Sequence, residues 1–498
     1  MIRNLLILLA LAFIPAQNAN AQKQPALRFT LSRSIEIATD SSLQAFISKN
    51  MYRSSYWSYR SFRAGRLPSL YLQTTPLQYR SDFTRRYDSE NNIDVYRQQQ
   101  SLYSYGNVSV RQNLDLTGGT FYIDSELGYM RNFGDNNYSQ FTSVPVRIGY
   151  SQSLFGFNGF KWDRKIEPLK FKKAQIQYMY AREEISETTI QYFFNLAMAQ
   201  LEFQMAQENV VSSDTLYFIG RERHKIASIS KAELTTLKLN TVNARNALQN
   251  ADISLKRAHF SFVSFLNMDK DTEVEILMPG KPMEMEISPD FALQQARENN
   301  PDFVSIQQSL LEAERAVEQT TKSSNFDANL SMSVGFNQVA PNFSGVYTTP
   351  PRQDVVSISF GIPLVDWGVR KGRANMARNN LNVTKISLQQ TEQKLEQDVI
   401  MTVSDFNMQR NMIGSAEEAL DLAIQAYDQT QARFISGDSD LNSLILSLER
   451  RNSANRGYLS ALRSYWQSYY KLRKLTLFDF LTKEVLTSQF DKIMEMNE

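Results

Sequence analysis

Two long stretches of this chain contain no proline and little glycine. No proline lies between Pro168 and Pro279, where Gly220 is the single glycine, and none follows Pro363. Proline costs a helix interior about 3 kcal/mol and glycine about 1 kcal/mol, so such stretches favour long, unbroken helices. Apolar residues recur at helical spacing, and a pattern that continues beyond about 25 residues is typical of coiled coils and helical repeats.

Each stretch has one short break. The first falls near residues 220–230 and the second at residues 437–440, within Gly-Asp-Ser-Asp. We therefore predict two long antiparallel helical hairpins, each joined by a turn. Arms of roughly 50 to 60 residues would span about 75 to 90 Å at 1.5 Å per residue.

The chain begins with a pattern typical of a secretory signal peptide. Arg3 gives a basic start, residues 5–14 are apolar, and small residues precede Gln22. An apolar core of about ten residues is too short to span a bilayer, which favours cleavage over a membrane anchor. Because Gln22 is not a cysteine, no acyl anchor is expected there. We predict export, with residues 1–21 removed.

Composition excludes several classes of site and partner. The chain has no cysteine, which excludes disulfides, thiolate zinc sites and cysteine nucleophiles. Its 54 Lys and Arg nearly balance its 52 Asp and Glu, so charge does not favour nucleic acid as a partner. Beyond residue 21 no run of about 18 apolar residues occurs, so crossing a membrane would require β-strands, whose alternating signal hydropathy misses.

Two segments show the period-two alternation of β-strands. The first, residues 68–158, contains an additional hairpin around Gly118-Gly119, and its charged residues 80–100 are predicted to be a loop. The second, residues 327–365, alternates apolar residues with serine and glycine. Such an apolar face suits either a second sheet in a soluble sandwich or the acyl chains around a barrel.

The two halves of the chain are copies of each other. The opening-helix pattern around Ser34 and Ala38 returns around Ala292 and Ala296, at an offset of 258. The far turns match at an offset of 210, which pairs Ala227 with Gly437. Each half is thus predicted to contain an opening helix, strands and a long helical hairpin.

The order of these motifs resembles that of the TolC-like outer-membrane efflux proteins, over roughly residues 27–480. Three patterns match: Ala292-Leu293-x2-Ala296-x2-Asn299-Asn300-Pro301, Pro363-Leu364-Val365-Asp366-Trp367-Gly368, and Arg433-Phe434-x2-Gly437-x6-Leu444. The first copy departs from the pattern, with Ser41-Ser42-Leu43 in place of Asn-Asn-Pro and Ala227 in place of the turn glycine.

The resemblance implies a mainly α chain with a transmembrane β section, in which a helix–strand–strand–long helical hairpin unit is duplicated. Three chains would form a β-barrel of twelve strands, continued by a periplasmic α-barrel of twelve helix segments. About four strands cannot close a membrane barrel alone, which needs about eight, and open edges cannot face lipid, so several chains must assemble. The resemblance implies that the assembly is a homotrimer.

These patterns divide the chain into eight segments. They are the signal peptide (1–21), a first periplasmic helix (22–67), the first β section of the outer-membrane barrel with its extra hairpin (68–158), the first long periplasmic hairpin (159–278), a linker with the second opening helix (279–326), the second β section (327–365), the second long periplasmic hairpin (366–480) and a C-terminal tail (481–498).

No catalytic constellation is found in the sequence. The two histidines, His224 and His259, lie outside any metal-binding spacing, and neither a G-x-S-x-G nor a phosphate-loop motif occurs. We therefore expect no enzyme activity, no cofactor and no metal. The resemblance implies instead a passive exit duct of a tripartite efflux or type I secretion system. A periplasmic adaptor and an inner-membrane transporter would open it, outer-membrane lipid would surround it, and nucleic acid would have no role.

The resemblance also assigns candidate residues at the tips of the hairpins. In the family, acidic residues just past the turn close the narrow periplasmic end, and Glu233 matches the first such position. The second copy has Ser443 there, and Asp438 and Asp440 within its turn are the candidates to replace the missing acid. Three copies of these carboxylates around a narrow pore would attract cations. The alternative for both aspartates is an N-terminal cap of the last helix. The tip turns, where the adaptor would dock, contain Arg223, Ala227, Arg433 and Gly437. Arg223 and Arg433 would either pair with the acids of the tip or bind the adaptor.

Aromatic residues follow the strands in both copies. Phe155, Phe157, Trp162 and Trp367 suit an interfacial girdle at the membrane surface, and packing at the junction of strands and helices is the alternative. For the whole chain, the alternative function is an exported structural coiled-coil adaptor or adhesin with a soluble β-sandwich.

Overall fold

The computed structural model describes residues 27–495 except 134–136, 228, 283–284, 325 and 437. The predicted signal peptide and the tip residue Gly437 therefore lie outside the described residues. The chain divides into two compact units, and each unit is built from three segments that are separate in the sequence. Unit 1 comprises the residues up to Ile47, Ala181–Ile287 and Thr402–Lys474; unit 2 comprises Ser48–Tyr180, Ser288–Met401 and Leu475–Glu498.

Helices account for most of the described chain. They are α1 (Leu31–Ser41), α2 (Leu43–Ala64), α3 (Gly159–Lys225), α4 (Lys231–Phe265), α5 (Pro289–Asn299), α6 (Pro301–Ser323), α7 (Val369–Ser436), α8 (Leu441–Thr476) and α9 (Phe490–Glu495). Within the described residues, no helix is both long and apolar enough to cross a membrane.

Both predicted hairpins are present, but their arms are unequal. The outgoing helices α3 and α7 have 67 and 68 residues, and the returning helices α4 and α8 have 35 and 36. The expectation of 50 to 60 residues in every arm is therefore wrong, because α3 begins at Gly159 and continues through Pro168.

Gly220 lies inside α3 rather than at the break. A Cβ atom on this residue would come within 2.3 Å of Leu237 Cδ1, and Leu237 is buried on α4. The glycine thus lets the returning helix pack closely, which is a common use of a residue without a side chain.

The strands are β1 (Leu27–Phe29), β2 (Ser69–Asp88), β3 (Ile93–Asn113), β4 (Thr120–Phe133), β5 (Tyr138–Ser153), β6 (Val274–Ile276), β7 (Asp327–Phe336), β8 (Gln338–Ala340), β9 (Arg352–Gly361), β10 (Phe478–Asp479) and β11 (Glu484–Val485). The largest sheet lies in unit 2, with the antiparallel order β2-β3-β4-β5-β7-β9, and β8 also pairs with β5.

The prediction of a loop over residues 80–100 is wrong. Arg80 pairs with Ser101 and Asp88 pairs with Ile93, so most of this segment forms the ends of β2 and β3. The turn occupies residues 89–92, where Asn92 has a φ of 55°. The misreading has a physical cause: β2 is an edge strand, and edge strands tolerate charged residues because one side of their backbone is unpaired.

One face of the sheet carries a continuous apolar row. Cross-strand pairing places Leu70 beside Val110, Val110 beside Ile123, Ile123 beside Ile148, and Ile148 beside Val334. All except Val110 are exposed in the single chain.

The opposite face is polar. Arg147 donates to both carboxylate oxygens of Asp124, over 3.0 and 2.6 Å, and Asn107 Nδ2 donates to the same carboxylate over 3.3 Å. Asp124 and Asn107 are both buried.

The segment named as a C-terminal tail is folded as far as Glu495. β10 and β11 pair, and Phe490 of α9 packs edge-on against Tyr52 of α2, with ring centroids 5.1 Å apart. Tyr178 joins the same aromatic core of unit 2.

Candidate functional site

The first hairpin turns within residues 226–230, between α3 and α4. Ala227 has a φ of 55°, the left-handed region that glycine adopts more easily. Its N–H donates to the carbonyl of His224 over 3.0 Å, and His224 Nδ1 lies 3.0 Å from the carbonyl of Ile229. The turn is therefore held by local bonds around a backbone conformation unusual for alanine.

A reciprocal capping box starts α4. The Ser230 hydroxyl accepts the N–H of Glu233 over 3.2 Å, and the Glu233 carboxylate accepts the N–H of Ser230 over 2.7 Å. These bonds satisfy donors that the first turn of a helix leaves free. The pKa of Glu233 is lowered, first by the hydrogen bond from the Ser230 backbone and then by the Ser230 side chain.

The second tip has its acid and its hydroxyl residue at the same two helix positions as the first tip, but in the reverse order. Asp440 Oδ1 accepts the N–H of Ser443 over 2.8 Å, and Asp440 Oδ2 lies 3.0 Å from the Ser443 hydroxyl, which donates to it. These contacts lower the pKa of Asp440, the backbone bond first. At the offset of 210 residues, Asp440 corresponds to Ser230 and Ser443 to Glu233.

Two of the three candidate gate carboxylates thus start a helix. For Asp440 this is the alternative that the sequence already offered. For Glu233 the sequence reasoning missed the cap, although Ser-x-x-Glu before an apolar run is the ordinary signal for it. The capping bonds fix the positions of these two carboxylates at the tips. A capping carboxylate keeps its negative charge and can still attract cations.

Asp438 belongs to the turn itself. Its N–H donates to the Arg433 carbonyl over 2.8 Å, and its carboxylate accepts the Ser436 hydroxyl over 2.9 Å. Arg433 donates to the Asp438 carbonyl over 3.2 Å, rather than to its carboxylate.

Arg223 contacts the other hairpin. Its guanidinium lies 5.3 Å from the centre of the Phe434 ring, and Nη2 donates to the Phe434 carbonyl over 3.5 Å. Among the described residues, neither Arg223 nor Arg433 forms an ion pair with Glu233 or Asp440.

An apolar cluster joins the two hairpins just above the turns. Tyr427, Phe434 and Leu444 are buried together, with Leu216 and Leu448 against them. Leu216 comes from the first hairpin and the others come from the second, so the tips share one small core in unit 1.

Arg451 of α8 adds a polar contact beside that core. Its guanidinium stacks 4.3 Å from the centre of the Tyr427 ring, and Nη2 lies 3.2 Å from Glu208 Oε2 on α3. The sequence reasoning did not identify this group, because only folding brings residues 208, 427 and 451 together.

The four candidate interfacial aromatics lie in unit 2 in different surroundings. Trp162 is 8% exposed, and its indole N–H donates to Glu318 over 2.8 Å, which favours packing. Trp367 is 95% exposed, with a φ of 52°. Phe155 is exposed and contacts Phe326, while Phe157 lies beside Arg315.

No cluster of three or more metal-binding side chains occurs within the described residues. His259 Nε2 lies 2.8 Å from the carbonyl of Thr272, and His224 is engaged at the tip as described above. The structure thus gives both histidines backbone partners.

Comparison with protein-family models gives a match in the second half of the chain. Residues 292–476 match the family model of the outer membrane efflux protein. A search of curated proteins found no match.

Several solved structures share the fold over most of their length. The Campylobacter jejuni CmeC outer membrane channel is 14% identical, with a TM-score of 0.65 over 90% of this chain and 85% of that one. The outer membrane protein VceC of Vibrio cholerae is 13% identical, with a TM-score of 0.63 over 90% and 95%. A membrane protein from Pseudomonas aeruginosa is also 13% identical, with a TM-score of 0.63 over 90% of both chains.

Proposed function

We propose that this chain is a passive exit duct in the outer membrane. Residues 292–476 match the family model of the outer membrane efflux protein, and the chain has the TolC-like fold that its sequence predicted. The family and the fold are those of channels rather than enzymes. The duct itself would draw no energy, and its cargo would be driven by a transporter of the inner membrane.

The observation that carries this proposal is the exposed apolar row of the large sheet. Leu70, Ile123, Ile148 and Val334 lie side by side on one face, while the opposite face holds Asp124 and Arg147. Leaving apolar surface in water costs about 25 cal/mol per Å². Lipid outside and water inside satisfy both faces of such a sheet at once.

The two end strands support an assembly of several copies. Among the described residues, β2 and β9 each pair with a single strand of the sheet, which makes them its two edge strands. Unpaired N–H and C=O groups are too costly to face lipid. A homotrimer closed through these edges removes that cost, and the two helical hairpins of each chain would extend the duct into the periplasm.

We place the gate of this duct at the tips. Three copies of Glu233, Asp438 and Asp440 around a narrow opening would attract cations and repel anions. The turns that contain Arg223, Ala227, Arg433 and Gly437 would meet a periplasmic adaptor. Leu216 of the first hairpin packs against Tyr427, Phe434 and Leu444 of the second. This shared core couples the two hairpins, so a partner that moves one tip would move the other.

Conductance in planar bilayers tests the duct and the gate separately. Alanine at Glu233, Asp438 and Asp440 removes charge together with helix caps, whereas Glu233→Gln, Asp438→Asn and Asp440→Asn remove charge and retain cap-forming side chains. We expect the neutral triple variant to lose cation preference and to conduct more. Glu275→Gln, which changes an exposed carboxylate paired with Arg28 in β1 and β6, is the control.

The possible results are distinct. Unchanged conductance and selectivity in the neutral triple variant would remove the three acids from the gate but leave the duct intact. A wild-type protein that extracts from cells as a soluble monomer and never conducts would favour the structural adaptor or adhesin instead.

A further inference from the structure

We propose that every strand on the path from β2 to β9 belongs to the barrel wall, so that a trimer closes eighteen strands through pairing of β2 in one copy with β9 in the next. This inference rests on the proposed duct. It replaces the twelve strands that the family resemblance implies, and it assigns the interface between copies to two named strand edges.

The ladder between β3 and β4 carries the argument. It runs from Gln100 opposite Phe133 to Asn113 opposite Thr120, and it includes all 14 residues of β4. In a twelve-stranded barrel β2 and β3 would lie outside the wall, and β4 would have to release this whole ladder to meet a neighbouring copy. Each backbone group released into lipid would cost several kcal/mol unless paired again.

Side chains on both faces also join β3 to the rest of the sheet. On the apolar face, Val110 lies between Leu70 and Ile123 in the row. On the polar face, Asn107 of β3 donates to Asp124 of β4, which Arg147 of β5 also contacts. The pattern of an apolar outer and a polar inner face thus continues through β3 into β2 without interruption.

Strand directions allow the closure. Five successive antiparallel pairings separate β2 from β9, so these strands run in opposite directions. Rotation about an axis along the barrel therefore brings β2 of one copy antiparallel to β9 of the next. This is the pairing found throughout membrane barrels.

The charge pattern of β2 identifies which part of its edge is covered. Residues 69–79 carry no charge, whereas residues 80–88 contain Arg80, Asp82, Arg85, Arg86 and Asp88. The uncharged part is close in length to β9, which has 10 residues. Charges on the remainder protect a free edge from unwanted pairing. Pro76, which cannot donate to a ladder, lies at the register shift between Thr75 and Gln78.

The exposed apolar residues at the two edges agree with this assignment. Leu70 and Leu72 of β2 are each 71% exposed, and Val356 of β9 is 72% exposed. All three belong to the apolar face. Leu70 is part of the apolar row, and Leu72 is two residues further along the same strand. Val356 pairs with Met332, which is two residues from Val334 of that row. Barrel diameter grows roughly linearly with strand number, so eighteen strands would give a barrel about one and a half times as wide as twelve.

Cysteine cross-linking tests the pairing directly, since the natural chain has no cysteine. Leu72→Cys is combined in turn with Val356→Cys, Ile358→Cys and Phe360→Cys, because the register across the interface is unknown. The matched control places Ile123→Cys on β4 with the same three positions. Outer membranes are oxidised with a copper–phenanthroline catalyst, and covalent multimers are counted on non-reducing gels.

We expect at least one Leu72→Cys pair to give covalent dimers and trimers, and the Ile123→Cys pairs to give none. Cross-linking through Ile123→Cys would overturn the inference in favour of twelve strands, and so would a conducting trimer in which no Leu72→Cys pair reacts. In both cases the duct would stand. A protein that is monomeric and does not conduct would overturn the duct and this inference together.

Discussion

The carboxylate of Asp440 accepts two hydrogen bonds from Ser443, one from its N–H over 2.8 Å and one from its hydroxyl over 3.0 Å. In the first hairpin the same two positions hold Ser230 and Glu233, with the hydroxyl first and the carboxylate second. Both tips therefore keep one acid and one hydroxyl residue at the start of the returning helix. The duplicated hairpins have conserved the capping function between them while exchanging the residues that perform it.

Removing the hydroxyl cap should loosen the start of α4. We expect Ser230→Ala to destabilise this helix end by about 1 kcal/mol, because the N–H of Glu233 loses its acceptor. Amide hydrogen exchange measures this as faster exchange in the first turn of α4. Thr236→Ala, which removes a hydroxyl bonded only to its own helix, is the control and should leave that turn unchanged.

The tips should loosen in acid. The pKa values of Glu233 and Asp440 are lowered in the fold, so the stability that they contribute is complete above their unfolded pKa values of about 4.3 and 3.9. It is lost as the pH falls through the lower folded values. Protease cleavage at the turns should therefore rise as the pH falls from 5 towards 3. The Glu233→Gln, Asp440→Asn variant should show a weaker rise, and an equal rise would assign the effect to other groups.

The backbone at Ala227 should accept glycine with a gain in stability. A left-handed conformation costs an L-residue about 1 to 2 kcal/mol, and glycine avoids this cost while losing more entropy on folding. We expect Ala227→Gly to slow proteolysis of the first tip and to stabilise it by up to about 1 kcal/mol. Ala227→Val should do the opposite. A glycine variant that is cleaved faster would show that the turn does not hold this conformation.

Arg451 should help to keep the two hairpins together. Its planar group stacks on Tyr427 and reaches Glu208, and a cation over an aromatic ring contributes about 0.5 to 2 kcal/mol depending on solvent access. We expect Arg451→Ala to increase the frequency of channel openings. Arg451→Lys should recover only part of the wild-type behaviour, because lysine keeps the charge and loses the planar stack. Equal behaviour of both variants would assign the effect to the planar stack alone, and full recovery by lysine would assign it to the charge alone.

Trp162 and Trp367 should report different surroundings in lipid vesicles. Trp162 is buried and bonded to Glu318, so brominated lipids should quench it weakly, whereas the exposed Trp367 should be quenched strongly if it lies at the membrane surface. Variants that keep only one of the four tryptophans make this measurable. Strong quenching by brominated lipid of Trp162 but not Trp367 would show that Trp162, rather than Trp367, lies at the membrane surface. Quenching of Trp367 by acrylamide in the aqueous phase would place this residue away from lipid.

Features that depend on local sequence were predicted well. The absence of proline and the helical periodicity predicted both hairpins, because a helix is formed by residues close together in the chain. The duplication and the motif order predicted the family. The arm lengths were misjudged, since Gly220 and Pro168 were taken as boundaries by composition, and both lie within a helix.

Features that depend on distant residues required the tertiary structure. Residues 80–100 have the composition of a loop, and they become strands because residues 80–88 pair with residues 93–101 in a hairpin that continues the large sheet. The stack of Arg451 on Tyr427 beside Glu208 has no sequence signature, since it joins three helices. The sequence by itself determined the helical hairpins, the repeat and the absence of cysteine chemistry. The fold decided the extent of the sheet and the contacts at the tips, because strand pairing and side-chain packing are set by neighbours in space rather than in sequence.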